Sequence, residues 1–226
     1  ALSGTSADLA LAFAGTVTEH TGTIGISNGD YTVAQLKTIN AASTGAITFT
    51  TATTTLSDTS ANLAVALNGT TNHNAAVTVT NADYTAAELA TINNGTAGAI
   101  TLNTTDTALS GTAANLAAAF AGTVTEHTGT VTITDAPSVT ELKTINAGTT
   151  GAITLNVTNG ALSGTSSDLV LAFDGTVTTH TGTVTITNAD YTVAELKTIH
   201  AATTGAITLN TTDTALTGSA ADLVLA

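Results

Sequence analysis

The chain has 226 residues, of which 42% are hydrophobic and only 8% charged, with 3% aromatics, no Cys, Met or Trp, and a formal net charge of −13. So apolar a composition excludes a disordered linker. The only cations are Lys37, Lys143 and Lys197, which excludes phosphate-driven nucleic-acid binding and simple adhesion to anionic membranes.

Without cysteine there is neither a disulfide framework nor a soft-metal site, and no apolar stretch reaches the ~18 residues of a membrane helix. Membrane insertion and a small-molecule substrate are therefore not expected. Internal repetition organises the rest. Gly-Ala-Ile begins at Gly45, Gly98, Gly151 and Gly205, and a leucine recurs at Leu2, Leu56, Leu109, Leu162 and Leu216, giving a period of 53–54 residues. The units run approximately over 1–54, 55–107, 108–160 and 161–214, with a partial fifth over 215–226. Each has a longer and a shorter half. The segment begins and ends in the same phase without polar caps, so one continuous array, 1–226, is expected. Either it is an uncapped fragment of a longer array or it is a protomer that stacks end to end.

In chain order, strands and helices alternate. Ile24 and Ile26 mark a strand, Thr32-x-x-Gln35 caps a short helix, and Ile47 and Phe49 mark the next strand. Val77 and Val79, the cap Thr85-x-x-Glu88, and Ile100 and Leu102 repeat that order. A second kind of helix follows Thr112-x-x-Asn115, with Leu116 and Phe120 on its apolar stripe. The third unit continues with Val131 and Ile133, the cap Ser138-x-x-Glu141, and Ile153 and Leu155. Then come Thr165-x-x-Asp168 with Leu169 and Phe173, a strand at Val184 and Ile186, the cap Thr192-x-x-Glu195, and a strand at Ile207 and Leu209. Helices of two or three turns need a sheet to bury against. One strand and one helix per coil imply parallel pairing with right-handed crossovers. The expected fold class is an α/β repeat solenoid. It would be a right-handed two-layer coil with one parallel β-sheet and a row of short helices, about eight coils in four units.

Two columns of residues invite a chemical reading. Asp30, Asp83, Asp106, Asp190 and Asp213 share one register, and the neighbours Asp83/Asp106 and Asp190/Asp213 are candidate calcium ligands. The competing reading is turn chemistry, since Thr53 and Asn159 replace the aspartate elsewhere. His20, His73, His127 and His180 recur once per unit, about 10 Å apart if coils stack, too far to share a metal held at about 2 Å. They read as loop histidines that pack or hydrogen-bond. No histidine is tied to a nucleophile by a motif and no phosphate-cradling loop appears, so an enzyme is not expected and no cofactor is assigned.

The outward strand positions Thr48, Thr78, Thr101, Thr132, Thr154, Thr185 and Thr208 make an uncharged threonine column. It is a candidate contact face for lateral association with other copies. It also resembles the Thr-x-Thr arrays of β-solenoid antifreeze proteins, which implies as an alternative a module that binds ice or another repetitive surface.

Segments such as Asp190–Asn210 and Leu109–Leu116 resemble the tandem repeats of giant bacterial surface proteins, particularly cyanobacterial ones. The resemblance spans the chain and implies a secreted, extracellular, structural segment of a cell-surface filament, sheath or adhesin stalk. Its partners would be neighbouring repeats or further copies of the same array.

Overall fold

The computed structural model describes residues 1–210 and 215–225. The chain forms two compact units, one of residues 1–107 with 118–125, the other of 108–117 with 126–226.

In the first unit, β1 (Leu2–Gly4), α1 (Ser6–Phe13), β2 (Ile24–Ile26), α2 (Val33–Ala41) and β3 (Ile47–Phe49) are followed by β4 (Leu56–Asp58), α3 (Ser60–Leu67) and β5 (Thr70–Thr71). After these come β6 (Val77–Val79), α4 (Ala86–Gly95) and β7 (Ile100–Leu102). All strand pairs are parallel. One sheet runs Leu2↔Ile24↔Ile47↔Thr70 and a second runs Leu56↔Val77↔Ile100, extended by a bridge from Ile100 to Val124. Beyond them the chain continues with β8 (Leu109–Gly111), α5 (Ala113–Phe120), β9 (Val131–Ile133), α6 (Val139–Gly148) and β10 (Ile153–Leu155). The remainder is β11 (Leu162–Gly164), α7 (Ser166–Ala172), β12 (Val184–Ile186), α8 (Val193–Ala202), β13 (Ile207–Leu209) and α9 (Ala220–Leu225). The second unit pairs Leu109↔Val131↔Ile153 and Leu162↔Val184↔Ile207, again in parallel.

The alternation of strand and helix with parallel pairing is as expected, and every position of both apolar strand columns from Ile24 to Ile186 is buried. At about 1.5–3 kcal/mol for each fully buried Ile, Val or Leu side chain, these columns are the main source of stability. The helices add Leu36, Ile39, Leu63, Leu116, Leu142, Ile145, Leu169 and Ile199, each fully sequestered from solvent. All four capping boxes form with both of their reciprocal hydrogen bonds.

The single sheet is a correction: the strands form several short sheets instead. The cause is a third strand in each repeat. Four of the five marker leucines, Leu2, Leu56, Leu109 and Leu162, open strands of their own, the last three only 2% exposed. Val77 therefore pairs with Leu56, and Ile47 pairs with Thr70 in place of Val77. Gly69, at φ 67°, lets the chain turn after α3 so that Thr70 and Thr71 reach the edge of β3.

The repeated Gly-Ala-Ile also has a steric cause. A Cβ on Gly45, Gly98, Gly151 or Gly205 would stand only 1.8, 1.9, 1.8 or 1.7 Å from the carbonyl oxygen of Gly22, Ala75, Gly129 or Gly182. Backbones approach so closely there that only glycine fits.

Candidate functional site

Three columns of polar side chains recur from repeat to repeat. The first starts at the turn after the middle strand. Asn81 accepts a hydrogen bond from the Ser60 N–H (2.7 Å) at the first turn of α3, and its amide donates to Ser60 Oγ (3.0 Å) and to Asp83 Oδ1 (2.7 Å). Ser60 Oγ in turn donates to Glu88 Oε2 (2.9 Å), the carboxylate of the next capping box. Asn28, Ser6, Asp30 and Gln35 repeat this clamp, as do Asn188, Ser166 and Asp190. Where Asp135 replaces the asparagine, Ala113 replaces the serine, and only the Ala113 N–H to Asp135 Oδ1 bond (2.7 Å) remains. A carboxylate has no N–H to offer a serine hydroxyl, so the two changes belong together.

This geometry places the aspartates. The amide of Asn81 holds the Asp83 carboxyl below its ordinary value, and that of Asn188 does the same for Asp190. Asp106 instead acts on Tyr84: burial raises that phenol, and the Asp106 charge adds to the rise. Asp213 lies outside the described residues. Among the described residues no group of three or more His, Asp or Glu side chains comes together that could hold a metal ion.

The second column is the histidines. His73 and His127 are fully buried and His180 is 2% exposed, each bridged in parallel to a buried threonine: Thr96, Thr149 and Thr203. His73 Nδ1 lies 2.8 Å from Thr96 Oγ1, and its Nε2 lies 3.3 Å from the Thr54 carbonyl oxygen. His180 repeats the arrangement with Thr203 Oγ1 (3.4 Å) and Gly160 O (2.7 Å). The same threonine hydroxyls accept from the N–H of Gly98, Gly151 and Gly205, the glycines of the close backbone approach.

The third column joins neighbouring helices. Lys143 Nζ pairs with Asp168 Oδ1 and Lys197 Nζ with Asp222 Oδ1, both at 2.6 Å, while Lys37 donates to Asn62 Oδ1. These lysines hold the Asp168 and Asp222 carboxyls below their ordinary value. Asn40, Asn93 and Asn146 donate to the carbonyls of Val65, Ala118 and Leu171 near the ends of the following helices. All three cations of the chain are thus spent on helix-to-helix contacts.

The threonine column is divided. Thr48 is registered with Gly25 and Thr71, Thr78 with Ser57 and Thr101, Thr132 with Ser110 and Thr154, and Thr185 with Ser163 and Thr208. Thr48 and Thr78 belong to different sheets, because Val77 pairs away from Ile47.

Sequence reasoning missed the serine–asparagine clamp and the buried threonines of the histidine column. The signal was present: each pair recurs at a fixed offset of 21–23 residues, and Ala113 changes together with Asp135. The chain matches no protein-family model and none of the curated proteins.

Proposed function

We infer that this chain is a structural segment of an extracellular repeat array, a solenoid serving as filament, sheath or adhesin stalk. The observation that carries this reading is where the polar groups go. Asn, Ser, His, Thr and Lys side chains bond to positions 21–29 residues away, in the neighbouring turn of the chain, and do so again in each repeat. Side chains that could do chemistry are consumed in fastening one turn to the next, as stability by nearest-neighbour interfaces requires. The net charge of −13 suits a secreted array that must stay dispersed. Contact with ice or another repetitive surface is the weaker reading, because a matching face needs one long threonine row and the register divides it into short ones.

The location is tested with antibody raised against this segment and applied to intact cells that make the protein. Labelling before permeabilisation is expected. Labelling only after the envelope is opened would refute an extracellular role.

A further inference from the structure

The histidine column holds ionisable groups that neither the fold nor the proposed role requires to titrate. A carbonyl oxygen only accepts, so Nε2 of His73 and of His180 carries the proton toward Thr54 O and Gly160 O, and Nδ1 is left to accept from the threonine hydroxyl. The ring is neutral in this arrangement. A second proton on Nδ1 could keep a hydrogen bond, because the Thr96 and Thr203 hydroxyls can turn to the carbonyls of His73 and His180, 3.3 and 3.0 Å away. It would meet no counter-charge. His73 is packed against the rings of Tyr31 and Phe49, His180 against Phe173, and the ion pairs among the described residues are both lysine–aspartate. Tyr31 is the titratable group facing His73, and burial raises its phenol, so it stays uncharged throughout the acid range. The partners of His180 (Phe173, Thr203 and Gly160) do not titrate.

We propose that the buried rings of His73 and His180 are acid-sensitive latches, each of which fastens the loop before a marker leucine and releases it when the ring takes up a proton. The covering groups at Nε2 are backbone carbonyls of the loops at Thr54 and Gly160, two residues ahead of Leu56 and Leu162. These are the segments that must lift for water to reach a charged ring. Burial pushes the His73 imidazole below its ordinary value, in keeping with a ring that resists charging while the loop is closed. The sign follows. Between the unfolded value near 6.5 and the lower folded value, the unfolded chain binds more protons, so stability is full above about pH 6.5 and falls as pH drops.

The test compares denaturant unfolding of the whole segment at pH 7.5 and 5.0 with that of the His73→Gln/His180→Gln variant, since glutamine keeps one donor and one acceptor without titrating. The parent is expected to lose up to about thirtyfold in folding constant through His73 between pH 6.5 and 5.0, and the variant to lose markedly less. His200→Gln, at an exposed position, should behave as the parent. Ring-proton NMR titration of the folded parent decides the matter should the variant not fold. A His73 ring that titrates at or above about 6.5, or a variant with the parent's full pH dependence, would overturn the latch.

Discussion

Replacing Gly151 by alanine puts a methyl carbon 1.8 Å from the carbonyl oxygen of Gly129, where real contacts are essentially never under 3.0 Å. The two backbones must therefore separate by at least about 1.2 Å. They are tied on both sides of that point: Thr150 N–H to His127 O and Val131 N–H to Ala152 O at 2.9 Å, and His127 N–H to Gly148 O at 3.1 Å. Such a shift stretches a 2.9 Å bond to about 4 Å, beyond hydrogen-bonding range. Two such bonds at about 1 kcal/mol each, with one buried group left unsatisfied at about 1–3 kcal/mol, give a loss of roughly 3–5 kcal/mol. At about 2–4 °C per kcal/mol for a chain of this size, the melting temperature should fall by on the order of 10 °C. Gly25→Thr is the control. Its Cβ would meet Ser3 Oγ at 3.3 Å, and threonine already stands at the equivalent Thr78, Thr132 and Thr185, so stability should hold or rise by up to about 1 kcal/mol. A Gly151→Ala protein that melts within about 2 °C of the parent would refute the steric argument.

The clamp makes a coupled prediction. In an Asp83→Ala background, Ser60→Ala alone leaves the Asn81 amide without its acceptors and should cost about 1–3 kcal/mol, whereas adding Asn81→Asp recreates the Ala113–Asp135 pair and should recover much of it. Simple additivity in a urea double-mutant cycle would show that the two positions do not act together. Lys143→Ala should lower the urea midpoint only slightly, since both partners of its ion pair are more than a third exposed, and about 1 M salt should erase the difference. The lowered Asp168 carboxyl makes that contribution present above the ordinary carboxylate value and lost as pH falls through the folded one, so parent and variant should converge in strong acid. Calcium or a chelator should leave the melting temperature unmoved, because Asp30, Asp83 and Asp190 are already engaged by asparagine amides. A rise of several degrees with calcium would return the aspartate column to ligand duty.

What could be read from the sequence was whatever the chain decides locally. Period-two alternation located Ile24–Ile26, Val131–Ile133 and their equivalents, because a strand with one buried face must alternate. The capping boxes were legible for the same reason, since both of their bonds close within three residues. Leu56–Asp58 was not. Three residues with one leucine carry no period, and Ser57 and Asp58 look like the approach to a helix cap. Pairing was not legible either. Any apolar triplet can lie beside any other in a parallel array, and the choice of Thr70 over Val77 as the partner of Ile47 rests on the turn at Gly69. The turn role of Asp83 was within reach, but the serine 23 residues upstream that completes the clamp was not. Long-range hydrogen bonds leave only their recurrence in the sequence.

The central claim, that the repeats build an axially extended array, is tested most directly by electron microscopy of proteins carrying four, eight and twelve units. Strands stacked about 4.8 Å apart with about two coils per unit predict rods of constant width that lengthen by roughly 10 Å per unit, about 40 Å for every four units added. Particles that instead broaden in all directions as units are added would contradict the account.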